Sequence, residues 1–417
     1  MCDISLVADI IESYHHSSRM AVVVSAIGGV TNKLITRDFK EVVSIHSECL
    51  LALKKVTKIT LDQYSLLEEM IRTDIGLIEN ESDEDIVMGY GEIWSSKILV
   101  EVLKKKLKNI SWKNARDIIH LLEGSEVRVD WKKSRLDLTD EGIYVITGFL
   151  ASDHMGMPTT LKRNGSDHSG AIVANLVNAE LLTIWTDVDG IFSADPRVVQ
   201  SAIRIEKMSY KETAELAYFG AKVIHPQTMA PCVKKAIPIV LRNTFNLDCE
   251  GTFIGNISPS TPARGVTSIP LVAIINIEGS GLFGFSGIAA KLFGAVSAAN
   301  VNIIMITQAS SEYSICFAVP MVDGKKCVLA IENVFQSEIK DAALEISLQP
   351  ASIVAAVGEG MHAQQGLLGL LATALGNAHV NVIAIAQGSS ERNVTFVVKP
   401  EDGISALQAL HSVLINK

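Results

Sequence analysis

Aromatic residues make up only 6% of the 417 positions, and charged residues 20% against 48% hydrophobic ones. That balance excludes a disordered chain and leaves an ordinary globular one, long enough for two to three domains with their own cores. Positive charge is the scarcer sign, since 37 Lys and Arg face 46 Asp and Glu for a net charge of -9. Phosphate backbones need clustered Lys and Arg, so no nucleic-acid partner is expected, and the short runs Lys104 to Lys106 and Lys132 to Lys133 read as solvated faces. No apolar run approaches the roughly 18 residues that span a bilayer. Asp3, Asp9 and Glu12 stand where a signal peptide would be apolar, so no membrane association and a cytoplasmic location are expected. The six cysteines, Cys2, Cys49, Cys232, Cys249, Cys316 and Cys327, form no C-x-x-C pair. Neither a zinc knuckle nor a disulfide framework is indicated, and reduced thiols fit best. A G-x-x-x-x-G-K-[ST] segment is also lacking, which excludes a P-loop.

What is present is organised around Leu161 to Asp195. Arg163, Asn164, Gly165, Ser166 and Asp167 stand directly before a run with Ala171, Ile172, Leu176, Val177 and Leu181 near helical spacing. A short strand, Leu182 to Trp185, then ends in Thr186, Asp187, Asp189 and Gly190. Glycine at a helix start offers free N–H groups and the positive end of the helix dipole to an anion, and ligands of α/β folds bind at the carboxyl ends of strands. The stretch therefore reads as a phosphate site beside an acidic one.

Upstream, residues 5 to 13 read as a helix and Ala21 to Val24 as a strand running into Ser25-Ala26-Ile27-Gly28-Gly29-Val30-Thr31-Asn32. Gly89-Tyr90-Gly91-Glu92 precedes a periodic run, Ile93 to Leu103, which places Glu92 at a helix start; an acid favouring the helix dipole is the ordinary alternative. Residues 127 to 129 and 143 to 149 read as further strands, and Asp195-Pro196-Arg197 as a turn. Strands alternating with helices through residue 245 predict an α/β domain with a mostly parallel sheet between helices. Lys222, near a helix end, is either a phosphate contact or a solvated lysine, and His225 reads as packed or hydrogen-bonded.

Gly251 to Pro270 is rich in Pro, Gly, Ser and Thr and reads as a linker. Beyond it the chain repeats itself at an offset of 79 positions: Gly279, Gly281 and Gly287 fall on Gly358, Gly360 and Gly366, Val301-Asn302 on Val380-Asn381, and Gln308, Ser310, Ser311, Glu312 and Phe317 on Gln387, Ser389, Ser390, Glu391 and Phe396. Each copy has the order of a ferredoxin-like βαββαβ unit, and the second ends without an obvious last strand, so one strand is shared between copies or left out. Gly279-Ser280-Gly281-Leu282-Phe283-Gly284 matches G-x-G-x-x-G, but Gln308 occupies the place of the ribose-binding acid and a hairpin follows, so a nicotinamide site is not expected. The expected division is 1–250, a linker 251–270, and repeats 271–349 and 350–417.

SAIGGVTN at Ser25, GYGE at Gly89, RNGSD at Arg163, WTDVDGIFSADPR at Trp185, AYFGAKVIHP at Ala217, and the paired QASSEYSI and QGSSERNV together resemble an aspartokinase of the amino-acid kinase superfamily with tandem ACT domains. The likeness is nearest the kinase portion of enzymes fused to homoserine dehydrogenase, although no dehydrogenase follows Lys417. It implies transfer of the ATP γ-phosphoryl group to the β-carboxylate of L-aspartate, with Mg²⁺ accompanying ATP. By the same resemblance, Ser25 and Thr31 line the aspartate and γ-phosphate site, and Glu92 contacts the aspartate ammonium. Arg163 grips a substrate carboxylate, Ser166 and Asp167 neighbour it, and Arg163 and Asp167 are the catalytic candidates. Thr186, Asp187, Arg197 and Lys222 match nucleotide-site residues. Asn302, Gln308, Asn381 and Gln387 are the effector-site candidates, with threonine the first effector expected and lysine the second, and ACT pairing implies a homodimer.

Two departures stand out. The family opens with a strand and K-F-G-G-T-S, which Met1 follows, so a truncated or mis-set start is the expectation; and Lys162 stands where the family usually has Gly. A catalytically silent amino-acid sensor on the same fold is the alternative reading.

Overall fold

In the computed structural model the described residues are 4–15, 19–57, 59–124, 126–138, 141–162, 164–220, 224–257, 264–279, 287–308 and 314–415. They divide into two compact units, Met1–Asp189 with Ile224–Gly255, and Gly190–Val223 with Asn256–Lys417. The expected boundary near residue 250 differs from this division. Gly190–Val223 goes with the second unit because Ala194 and Val199 are buried in one core with Leu371 and Phe396.

The first unit is α/β, as the alternation predicts. The strand Ile143–Thr147 lies between Met20–Val24 and Ile110–Lys113, parallel to both. Its five residues are all buried, whereas the wholly apolar Met20–Val24, an edge strand, is only half-buried. A second group of strands pairs Leu182–Thr186 in parallel with Ile239–Asn243, which pairs antiparallel with Thr252–Gly255. Part of the expected linker is therefore strand. The expected strand at 127–129 is not one: Val129 makes a single antiparallel bridge to Leu121.

Helices cover these sheets near where the periodicity placed them, although the run expected to reach Leu181 begins earlier, at Gly165, and ends at Leu176, leaving Leu181 exposed. Ile4–Tyr14 buries Ala8, Ile10 and Ile11. Tyr90–Leu103 is buried over most of its surface, with Trp94 and Ile98 fully enclosed and the Trp94 indole donating to Asp74 Oδ2 at 2.8 Å. Leu61–Ile78 begins with a capping box between Thr60 and Gln63, which satisfies two otherwise free N–H groups. Among the described residues no helix is long and apolar enough to cross a membrane. Cys232, Cys249, Cys316 and Cys327 are free thiols, while Cys49 is disulfide-bonded and so departs from the expectation of six reduced thiols.

In the second unit the duplication becomes a six-stranded antiparallel sheet, ordered Met305–Gln308, Ser314–Pro320, Gly265–Glu278, Glu345–Val357, Asn393–Val398 and Val382–Ala386. The two long central strands each serve both copies. Residues 272–278 pair with 314–320 and with 345–351 to complete the first copy. Residues 352–357 pair with 393–398 and with 265–269 to complete the second. The last strand that the second copy lacks in sequence is thus supplied by residues ahead of the first copy. The change of partner coincides with a register shift between Ile269 and Val272, where Pro270 and Leu271 oppose Ser352. A proline has no N–H to give a ladder, which makes this the natural place for a bulge. Gly287 and Gly366, one repeat apart, start the helices Ile288–Ala298 and Leu367–Asn377 at φ 94° and 78°, a conformation that disfavours a side chain. Residues 280–286, with most of the G-x-G-x-x-G match, lie outside the described residues.

Candidate active site

The carboxyl ends of the parallel strands Met20–Val24 and Ile143–Thr147 gather three of the expected residues. Gly148 continues the pairing, its N–H donating to Val24 O at 2.8 Å. A Cβ on Gly148 would stand 2.8 Å from Ser166 Oγ and 2.9 Å from Val24 O, so the absent side chain is what lets Ser166 reach the strand ends. Ser166 and Asp167 sit in the first turn of the Gly165–Leu176 helix, whose N-cap Asn164 is left-handed at φ 56°. Gly165 is equally tight, since a Cβ there would meet Phe149 Cδ2 at 2.4 Å.

Glu92 arrives from the other side. Ser95 Oγ donates to Ser25 O at 2.7 Å, and a Cβ on Gly91 would lie 2.8 Å from Ala26 Cβ. These contacts press the start of the Tyr90–Leu103 helix onto the loop after Met20–Val24, and Val30 at the head of the next short helix packs there too. Thr31 follows in that helix and is half-buried, while Ser25 is exposed. The Glu92 side chain is only 4% exposed, and its Oε2 has no hydrogen-bond partner among the described residues. Burial pushes its carboxyl up to about 7, against the opposing pull of its own and the Ala26 backbone N–H. A buried acid with an unpaired oxygen has an unfilled demand for a cation or a donor.

Burial also raises the Asp167 carboxyl above the ordinary range, and lowers the His168 imidazole, which the nearby His225 lowers further. His168 is therefore neutral near pH 7. His225 caps the Pro226–Lys235 helix, its Nδ1 accepting from Gln227 N at 3.3 Å, in keeping with the hydrogen-bonded role expected for it.

The Gly165–Leu176 helix packs on both Met20–Val24 and Leu182–Thr186. At the end of the latter strand Thr186 Oγ1 donates to Asp187 Oδ1 at 3.2 Å, and Asp187 is exposed. This loop is held by residues that motif reading missed: Asn243 Nδ2 and Asn246 Nδ2 donate to Asp189 Oδ1 at 2.7 and 3.0 Å. They lie 54 and 57 positions away in sequence, too far for local spacing to reveal, and only the paired strand brings them back.

Arg197 belongs to the second unit, in the expected turn, where Asp195 holds its guanidinium at 2.6 Å. Arg163 and Lys222 lie outside the described residues. Asn302, Gln308, Asn381 and Gln387 are all exposed. Asn302 and Asn381 precede the strands Met305–Gln308 and Val382–Ala386; Gln308 ends the first strand and Gln387 follows the second.

Residues 2–243 match the sequence profile of the amino acid kinase family, and residues 275–335 and 354–414 match that of the ACT domain. A bifunctional aspartokinase/homoserine dehydrogenase 1 of Arabidopsis thaliana is 43% identical over 80% of this chain, which spans 38% of that relative's length. The lysine-sensitive aspartokinase 3 of Escherichia coli is 27% identical over 94% of this chain and 92% of its own. Among solved structures, E. coli aspartokinase III in complex with aspartate and ADP superposes with a TM-score of 0.79 at 25% identity, covering 99% of this chain and 96% of the other.

Proposed function

Because the chain belongs to the amino acid kinase family and carries two ACT domains, we propose that it transfers the γ-phosphoryl group of ATP to the β-carboxylate of L-aspartate, giving 4-phospho-L-aspartate and ADP. The observation that carries this reading is a buried Glu92 whose Oε2 has no partner among the described residues, on a helix held against the loop of Ser25, with Ser166 packed against Gly148 where the paired strands end.

An amino-acid ammonium meets the demand of Glu92 and draws its carboxyl back toward ionisation. The substrate's negative end suits the positive N-terminus of the Gly165–Leu176 helix and the planar fork of Arg163. The substrate β-carboxylate is already ionised at pH 7, so no strong base is needed. One of its oxygens forms a bond to the γ-phosphorus while the bond from that phosphorus to the β–γ bridging oxygen breaks, and ADP leaves with the electron pair. The protein's share is positioning and charge stabilisation. Thr186 and Asp187 offer a hydroxyl and an exposed carboxylate suited to nucleoside groups, and Asp187 is also a hard oxygen donor of the kind Mg²⁺ accepts. Mg²⁺ supplies charge neutralisation on the phosphates when bound with ATP. Arg197 and Lys222 are assigned to the nucleotide by resemblance alone. The ACT pair is assigned an effector amino acid, threonine first and lysine second, and a homodimeric arrangement.

Aspartate-dependent ADP release tests the reaction. Arg163→Ala should raise the KM for aspartate far more than that for ATP, and an unchanged aspartate KM removes its assignment. Glu92 adds a pH signature. Its folded carboxyl is pushed up to about 7 from an ordinary value of 4.5, so the folded state holds the proton more tightly and stability falls as pH rises from 4.5 through 7. The shift corresponds to about 3 kcal/mol. Glu92→Gln should flatten that dependence and stabilise the substrate-free protein at pH 8 while weakening aspartate binding. No ADP release, with threonine or lysine still raising the melting temperature, would replace the kinase reading with that of a sensor.

A further inference from the structure

The helix Tyr210–Tyr218 is tied at its two ends to different ACT copies. At its start Glu212 is fully buried, and its Oε1 accepts from Glu359 N at 3.0 Å. Glu359 follows Gly358 in the glycine turn of the second copy, and its own carboxylate draws Lys211 Nζ to 3.8 Å and Arg392 Nε to 3.5 Å. One residue short of a full turn on, Glu215 Oε2 accepts from Asn393, which pairs with Val357 at the edge of the same turn. At the other end of the helix the Tyr218 hydroxyl is shared between Ile303 O at 3.2 Å and Ile304 O at 3.0 Å, in the first copy. These are the two carbonyls directly after Asn302, and the strand they lead into ends at Gln308. Phe219 then enters a core with Met305 and Ala318 of the first copy and Ile353 and Val397 of the second. Its exit is fixed as well: Phe219 O accepts from Thr267 Oγ1 at 3.2 Å, and a Cβ on Gly220, at φ 120°, would lie 2.4 Å from Ser268 O. The copies also touch each other, where Thr307 Oγ1 donates to Ile385 O at 3.4 Å, next to Gln308 in one strand and close before Gln387 in the other.

We propose that the Tyr210–Tyr218 helix is the regulatory relay of the ACT pair: the Tyr218 hydroxyl reads the first copy's edge strand, Glu212 and Glu215 read the second copy's glycine turn, and an effector amino acid acts by changing the relation between them. This rests on the effector reading above. A ligand shifts an equilibrium only through contacts that differ between two states. A helix clamped to one module moves with it and reports nothing, whereas a helix clamped to two must give way at one end when they move relative to each other. The chain passes from this helix into the first unit at Ile224, so a shift of Tyr218 and Phe219 has a covalent route out of the ACT pair. Tyr218 is 46% exposed, and its hydroxyl adds little to a core that the buried Phe219 already holds. It therefore suits signalling better than stability.

The test measures inhibition of ADP release by threonine and by lysine, calorimetric binding of the same amino acids, melting temperature, and hydrogen exchange of residues 210–219 with and without them. It compares the parent protein with Tyr218→Phe, Asn393→Ala and the double variant. Each single variant should raise the concentration for half-inhibition about tenfold, which lies inside the range of about 5–150-fold for allosteric coupling. Effector affinity, melting temperature, and kcat and KM without effector should stay near parental values. The double variant should be no worse than the more affected single, because both break one relay. Effector binding should change the exchange of residues 210–219 in the parent and leave it unchanged in Tyr218→Phe. Hydrogen exchange needs no catalysis, so it decides the matter even if the chain releases no ADP. A parent response that both single variants leave intact sinks this inference alone, and so does a loss of binding that matches the loss of inhibition. If the parent binds neither threonine nor lysine, the effector reading falls and this inference with it.

Discussion

The two ACT copies share a chain order and differ in what they carry. Leu292 and Leu371 are equivalent and both fully buried, as are Phe317 and Phe396. The core around Leu292 and Phe317 is built from residues 273–348 alone among those described. The core around Leu371 and Phe396 also takes in Ala194, Val199 and Val266. Polar contacts favour the second copy without being exclusive to it, since Tyr218 Oη also donates to Ile303 O and Ile304 O of the first copy at 3.2 and 3.0 Å and Phe219 packs with Met305 and Ala318. Gln408 donates to Val198 O at 3.1 Å, Glu359 N donates to Glu212 Oε1 at 3.0 Å, and Asn393 donates to Glu215. His411 Nε2 meets Ser193 Oγ at 2.8 Å, where the first copy places an exposed Glu332. Duplication preserved the fold, while partner contacts turned the second copy into the seat of the turn that bears Arg197. The second copy's core takes in Ala194 and Val199 of the Gly190–Val223 segment, while the first copy meets that segment at Tyr218 and Phe219.

The strongest way to break this comparison is a matched pair of cavities. Leu292→Ala and Leu371→Ala should each destabilise by about 3–5 kcal/mol in chemical denaturation. On the nucleotide role proposed for Arg197, only the second should also raise the KM for ATP, because its core takes in Ala194 and Val199 on either side of the Arg197 turn; equal effects on ATP would dissolve the distinction. A smaller effect is expected at Glu212, which is fully buried and whose two oxygens accept from Glu359 N and Ser209 N. Glu212→Gln must turn an amide N–H toward one of these donors, and should cost about 1.5–3 kcal/mol by thermal melting.

The smallest expected effect is the most specific to the second copy. Burial lowers the His411 imidazole below its ordinary value, and its Nδ1 has no partner among the described residues. The unfolded state therefore takes up a proton that the folded state refuses, so stability present above the ordinary value of 6.5 is lost as pH falls below it. His411→Gln should reduce the drop in melting temperature between pH 7.5 and pH 5.5. An unchanged drop would assign it to the other depressed histidines, His46, His120 and His168.

Much of this was legible in the chain. Helical periodicity located Tyr90–Leu103 and Gly165–Leu176, and the offset of 79 positions marked both glycine helix starts, because repeated backbone geometry demands repeated glycine. The short edge strand Ile110–Lys113 was missed, and so was the strand within Gly251 to Pro270, where Pro and Ser suggested a linker. Composition reports what a segment tends to do alone, and an edge or bulged strand forms only when a neighbour offers its ladder.

The sequence by itself determined the α/β alternation, the duplication and the residue types of the site, since each is a local pattern of period, glycine or charge. Tertiary structure alone decided that residues 265–269 complete the second copy, that Ser166 packs against Gly148 where two strands end, that Asn243 and Asn246 hold Asp189, and that Lys162 answers to Asp85. Those pairings join residues far apart in the chain, and burial, which moves the Glu92 carboxyl to about 7, is a property of the packed whole that no single stretch contains.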